Sequence, residues 1–143
     1  MKVNVKKLCD GAKLPAYGTP YAAGADLYAC EGAEIPAGQT VFLHTGIAVE
    51  LPAGTVGLVY ARSGLACKQG LAPANKVGVI DCDYRGEVMV ALHNHGEKAR
   101  RVEAGERIAQ LVIAPYYTAS FCEAEELSAT VRGEGGFGST GKN

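Results

Sequence analysis

Asp81 ends the apolar stretch Val79-Ile80 and opens the polar run Cys82-Asp83-Tyr84-Arg85-Gly86-Glu87. A carboxylate at the end of an apolar strand either caps the chain or is used. Beside a bound polyphosphate it can orient and deprotonate a water. Asp83 to Gly86 has turn chemistry, Asp first and Gly fourth, so Asp83 is read as a turn opener. Tyr84 on its own reads as packing. Upstream, Arg62-Ser63-Gly64-Leu65-Ala66 puts a guanidinium and a hydroxyl at the start of a short helical stretch. Unpaired N–H groups there favour an anion, and Arg62 can meet a phosphate in fork geometry. A Ser63 cap with a surface arginine explains the same residues. Gln110 lies inside the apolar run Ile108 to Ala114. A buried amide needs partners, either core backbone or a ligand. Asp26 follows a tight glycine turn at Gly24, where its simplest role is a cap.

Two other segments carry reactive or ligating types. The last twelve residues, 132–143, contain five glycines. Gly133, Gly135 and Gly138 have G-x-G-x-x-G spacing. No helix or βαβ unit accompanies them, so this is not a dinucleotide fingerprint. Successive backbone N–H groups in such a segment can wrap an anion. Arg132, Ser139 and Thr140 add a charge and two hydroxyls, and Phe137 suits stacking on a planar ligand. The other reading is a plain flexible tail. His93 and His95 would face one way on a strand, but no third ligand is near, so they read as surface residues.

The elements that must hold these groups are β-strands. Val41, Leu43, Thr45, Ile47, Val49 and Leu51 alternate with polar or small residues, with a bend expected at Gly46. Val56, Leu58 and Tyr60 alternate next, and Val88, Val90 and Leu92 later. Ile108 to Ala114 reads as an interior strand. Ile35-Pro36-Ala37-Gly38 and Leu51-Pro52-Ala53-Gly54 read as type I turns with Pro second and Gly fourth. Val102-Glu103-Ala104-Gly105 is a weaker copy. Helix signal is confined to Gly64–Gln69, stopped by Gly70, and to a turn or two in 123–130.

Composition sets the outer limits. A chain of 143 residues is one domain. Charges nearly cancel, 14 Lys+Arg against 15 Asp+Glu, which excludes a strongly basic nucleic-acid binder. The 19 glycines exceed the usual ~7% and predict many tight turns. No apolar run reaches the ~18 residues of a membrane span, and Met1 to Lys7 lacks the apolar region of a signal peptide. Five cysteines without C-x-x-C spacing predict free thiols in a reducing compartment. Residues 1–131 are expected to form a β core and 132–143 an arm.

Taken in order, five segments resemble the motifs of the trimeric dUTPases (deoxyuridine triphosphate nucleotidohydrolases). They are Ala23 to Tyr28, Arg62 to Ala66, Gly78 to Glu87 with Asn75 six residues before Asp81, Gly105 to Leu111, and Arg132 to Gly141. Glu134 departs from a common small residue in the last.

The resemblance implies a distorted jelly roll of the β-clip type, a homotrimer, and sites shared between subunits. It implies hydrolysis of dUTP to dUMP and pyrophosphate with Mg²⁺. Asp81 would be the base. Arg62, Ser63, Gly64 and Gln110 would hold phosphates, and Asp26 would touch the ion through water. Asn75 and Val79 would border the uracil, and Tyr84 would pack under the sugar and exclude a 2′-hydroxyl. Arg132, Phe137, Gly138, Ser139 and Thr140 would bind from the arm. No nucleic-acid or membrane partner is implied, and the location would be the cytoplasm, or also the nucleus in a eukaryote. The alternatives are a dCTP deaminase-like relative and a noncatalytic nucleotide-binding module on the same fold.

Overall fold

The structure is a computed structural model that describes residues 1–136. In chain order the elements are β1 (Asn4–Lys7), β2 (Ala16–Tyr17), β3 (Ala25–Tyr28), β4 (Ala33–Ile35), β5 (Thr40–Glu50), β6 (Thr55–Tyr60), α1 (Ser63–Gln69), β7 (Leu71–Pro73), β8 (Gly78–Ile80), β9 (Glu87–Asn94), β10 (Arg100–Val102) and β11 (Arg107–Pro115). The fold is all-β with one short helix. One sheet has the order β1-β5-β9-β7, a second the order β2-β3-β11-β6-β8, and β4 pairs with β10. Every pairing is antiparallel. Among the described residues no helix is long and apolar enough to cross a membrane.

The period-2 pattern decides which faces meet. Leu43, Ile47 and Val49 of β5, Val88, Val90 and Leu92 of β9, and Leu27, Val59, Ile108 and Leu111 of the larger sheet join one buried cluster. Each such side chain contributes about 1.5–3 kcal/mol by leaving water. β11 lies between β3 and β6, as its continuous apolar run predicts. On β6 the deep residues are Thr55, Gly57 and Val59, while Val56 and Leu58 are half-buried and Tyr60 is exposed. Its apolar alternation therefore faces outward from the core.

Gly46 bends β5 as expected. Pairing with β9 runs from Thr40–His93 to His44–Met89, then resumes at Ala48–Glu87. Gly46 has φ +68°, and a Cβ there would meet the Cys9 sulfur at 2.5 Å. The bulge therefore requires glycine.

Several local expectations need correction. Cys9 and Cys30 are joined as a disulfide, so only Cys67, Cys82 and Cys122 are free. Both segments are held on the β5 bulge: Leu8 N–H donates to the Gly46 carbonyl and Cys30 N–H to the His44 carbonyl, each at 2.7 Å. A sequence separation of 21 conceals that meeting. The Pro-Ala-Gly turns start one residue later than expected. Gln39 N–H donates to Pro36 O and Thr55 N–H to Pro52 O. Gly38 and Gly54 then sit third with φ +68° and +78°, which makes the turns type II. Ser63 is the first residue of α1 rather than its cap; Arg62 holds the cap position with no side-chain cap bond. Gly70 does end the helix, in the left-handed conformation. No helix forms over 123–130. Leu127 is exposed there with no face to pack on, and an isolated short helix is marginal in water.

Candidate active site

The expected site residues ahead of the 132–143 segment fall into two clefts. The first, of about 280 Å³, lies between the β7–β8 connection, β8 and β9 and is bordered by Asn75, Val79, Asp81, Tyr84 and Glu87. The connection from β7 to β8 turns tightly as the chain passes from one sheet to the other. Lys76 N–H donates to Pro73 O and Val77 N–H to Asn75 O, with Lys76 at φ +65°. β8 is the edge strand of its sheet, so one side of its backbone has no strand partner. Val79 is 65% exposed on it.

Asp81 follows Ile80 directly and is exposed. Its carbonyl accepts the Tyr84 N–H at 3.1 Å. The turn is thus opened by Asp81, not by Asp83 as expected. Arg85 supports the same turn through Nη1, which donates to the carbonyls of Cys82 (2.8 Å) and Tyr84 (3.0 Å). Tyr84 folds back over Gly86, where any Cβ would collide with the phenol. Its hydroxyl donates to the Glu87 carbonyl at 3.0 Å. Behind the turn, Cys82 Sγ lies 3.7 Å from the Tyr116 hydroxyl, and this contact pushes the Tyr116 phenol above its ordinary range.

The second cleft, of about 270 Å³, is lined by Asp26, Arg62, Ser63, Gly64, Arg107 and Gln110. Asp26 on β3 pairs with β11 at Gln110, so strand register alone brings motif residues 84 positions apart together. One Asp26 oxygen accepts Arg62 Nε at 2.9 Å and the other accepts Arg107 Nη1 at 3.2 Å. Asp26 is therefore no free cap. Gln110 Nε2 donates to the Ala61 carbonyl at 2.9 Å, and its Oε1 lies over Gly24. A Cβ on Gly24 would meet that oxygen at 2.5 Å, which explains the glycine before Asp26. Gln110 thus both bonds backbone and borders the cleft. Arg107 was missed by the sequence reading; its place three residues before Gln110, across the strand from Tyr28, was the available signal.

One chain does not unite these clefts. The register of β8 on β6 places Asp81 just past the Gly57–Ile80 pair, level with Val56 and Ala114. Gln110 lies four residues from Ala114 along β11 and two strands across. At ~3.3 Å per residue and ~4.8 Å per strand, that is roughly 16 Å. Arg132 is exposed, and among the described residues its side chain bonds its own turn, Nε to Gly135 O at 2.8 Å. Phe137, Gly138, Ser139 and Thr140 lie outside the described residues.

Comparison with known proteins decides the family. The dUTPase family model matches residues 10–141. The chain belongs to the dUTPase family. It is 55% identical to the deoxyuridine 5'-triphosphate nucleotidohydrolase of Desulfitobacterium hafniense over 132 residues, 90% of this chain and 87% of that protein. The Nautilia profundicola protein of the same name is 49% identical over 142 residues, covering 99% and 100%. Among solved structures, the dUTPase of Staphylococcus bacteriophage 80alpha with dUpNHpp superposes at TM-score 0.93, with 32% identity and 98% coverage of both chains. The dUTPase of S. aureus phage phi11, solved with a structural Mg(II) ion, shares the fold at TM-score 0.82 and 24% identity. As a dUTPase, this chain carries each of the five segments in the order the resemblance required.

Proposed function

We propose that this protein hydrolyses dUTP to dUMP and pyrophosphate, as a homotrimer of distorted jelly-roll subunits whose active sites each join clefts from different chains. The observation that carries this reading is the division of labour between the two clefts. One offers a carboxylate, a tyrosine and an edge strand; the other offers guanidiniums, a hydroxyl and an amide. A nucleoside triphosphate needs both, and one chain holds them roughly 16 Å apart. Two further features support assembly. The outward face of β6 and β11 presents Val56, Leu58, Val112 and Ala114 in register. Beyond Pro115, Tyr117, Phe121 and Leu127 are exposed and find no core among the described residues. We assign residues 1–131 to the core and 132–143 to an arm that closes over a neighbouring site.

In the assembled site Asp81 takes a proton from the water that attacks the α-phosphorus, and the pyrophosphate oxygen leaves with the bonding electrons. Ser63 lies near the leaving oxygen, while Arg62, Gly64 and Gln110 hold phosphates. The edge of β8, with Asn75 and Val79, reads the uracil; a misplaced donor there would leave a buried polar group unpaired. Tyr84 fills the space a 2′-hydroxyl would need. Arg132, Ser139 and Thr140 neutralise the γ end, and Phe137 with Gly138 covers the base.

Mg²⁺ bound through the triphosphate oxygens would draw charge from them and fix their geometry. Asp26 fits a contact through water: a carboxylate has about four acceptor sites, and two are used by Arg62 and Arg107.

A nucleotide panel tests the function. Pyrophosphate release from dUTP, little from UTP, dCTP or dTTP, and no ammonia from dCTP is the expected result. Ammonia release would favour a deaminase, and a monomeric mass in light scattering would defeat the shared site.

A further inference from the structure

His44 and Glu87 are not among the residues to which the resemblance gives a role. They meet across β5 and β9, where His44 Nδ1 lies 2.8 Å from Glu87 Oε2. The other oxygen, Oε1, accepts the Gly46 N–H at 2.8 Å. Glu87 is therefore held by a side chain and by the backbone of the bulge. The register of β5 on β9 slips between the His44–Met89 and Ala48–Glu87 pairs, so residues 45–47 of β5 have no ladder partner on β9 and the Glu87 carboxylate bridges that gap. The carbonyl of the same residue receives the Tyr84 hydroxyl, and Glu87 borders the Asp81 cleft. A continuous path runs from His44 to the Glu87 carboxylate, to its main chain, to the Tyr84 ring.

We propose that His44 and Glu87 form a positioning clamp for Tyr84, and that the clamp sets how strongly the nucleoside pocket prefers deoxyribose over ribose. This rests on the reading of Tyr84 as the residue under the sugar. Neither clamp residue touches substrate; both act through the phenol. A ring held by its hydroxyl at one point can swing if the accepting carbonyl moves, and a small displacement opens the room a 2′-hydroxyl needs. Gly86 makes the arrangement possible, because only a residue without Cβ lets the phenol lie against the turn.

The clamp responds to pH. The charged groups acting on His44 are Glu87 on β9 and Glu31 in the loop after β3; Lys6 and Lys7 on β1 pair further along, with Ala48 and Ile47. The hydrogen bond to Glu87, then the Glu87 charge, hold the His44 imidazole above its ordinary value, with a smaller contribution from Glu31. The clamp is fully charged in mildly acidic solution and loses its cation as pH rises through that raised value.

The test uses full-length E87Q, H44Q, Y84F and Y84A, with pyrophosphate release from dUTP and UTP followed between about pH 6 and pH 9. Thermal melts confirm folding, and H44Q changes a half-exposed side chain, so the test does not depend on E87Q folding. E87Q should raise KM for dUTP about fivefold, the worth of one hydrogen bond, with kcat moving less than KM. Its dUTP-over-UTP preference should narrow by a similar factor. H44Q should raise KM about two- to threefold near pH 6 and converge on the wild type as pH rises through the raised His44 value and the imidazole loses its charge. The wild-type to H44Q ratio cancels the nucleotide's own titration. Y84F should reproduce the E87Q phenotype. Lost preference in Y84F with wild-type behaviour in E87Q and H44Q overturns the clamp and leaves Tyr84 its role. Unchanged preference in Y84F and Y84A overturns both.

Discussion

The Tyr84 cleft is walled by an edge strand, a tight turn and a phenol folded on glycine, while the Asp26 cleft is walled by two guanidiniums sharing one carboxylate. The first is a shape held by backbone: the Asp81–Tyr84 turn, the Arg85 bonds to two carbonyls, and the Glu87 carbonyl. The second is a charge network of two guanidiniums on one carboxylate, which leaves a net positive charge. Arg62 and Arg107 would otherwise repel each other, and Asp26 keeps them in one place. A polyphosphate can then be met by cations that need little reorganisation. On the proposed reading, the two clefts would separate recognition of the nucleoside from grip on the phosphates, and their distance in one chain would make assembly part of catalysis.

Breaking the chemistry of the first cleft without its shape is the sharpest separation. Asp81→Asn should lower kcat by about 10³-fold, the range of a general base, and leave dUTP binding with Mg²⁺ near wild type. Calorimetry and pyrophosphate release measure the two halves; full turnover would remove Asp81 from its role. Removing residues 132–143 acts on both clefts from outside. The truncated protein should remain a folded trimer with activity reduced about 10²-fold, as for substrate that is bound but poorly positioned. Full activity would show that the arm does not close the site.

Gly24→Ala is the converse change, confined to the second cleft. The added methyl displaces Gln110 Oε1, so phosphate grip should weaken and KM rise about tenfold while discrimination against UTP is retained. Loss of base or sugar selectivity in this variant would mean the clefts are not separable. Arg62→Lys makes a second such break, because lysine lacks the fork that holds Asp26 through Nε.

The sequence disclosed strands wherever one face is buried. The β5 alternation, its bend at Gly46 and the interior position of β11 all follow from side-chain period and glycine. It misled where the decisive fact was a backbone angle or a distant partner. Pro36-Ala37-Gly38 fits two turn frames, and only the positive φ of Gly38 selects one. Val56, Leu58 and Tyr60 of β6 face away from the core, because the small residue Gly57 is what packs beneath Leu111 and Leu51. The Cys9–Cys30 pair and the His44–Glu87 pair depend on which strands neighbour one another, a property no local pattern carries. Asp26, Arg62 and Gln110 were legible as types but not as a network, and Arg107 went unnoticed for that reason.

The smallest expected effect concerns the support behind the first cleft. In Glu87, partial burial pushes the carboxyl up, but the hydrogen bonds from His44 and Gly46 and the His44 charge together outweigh it and hold the group below its ordinary value. A lowered carboxyl stabilises the fold above its unfolded pKa, and that gain is lost as pH falls through the folded value. A raised imidazole stabilises the fold below its unfolded pKa, near 6.5, and that gain is lost as pH rises through the folded value. The two conditions overlap between the ordinary carboxylate range and the ordinary histidine value, so the pair should add most to the melting temperature between about pH 4.5 and pH 6.5. The difference in melting temperature between wild type and H44Q should peak in that window and shrink on either side. Because His44 is half exposed, the peak should fall further in high salt. A difference that is flat across pH would mean His44 holds Glu87 by shape alone, with no contribution from its charge.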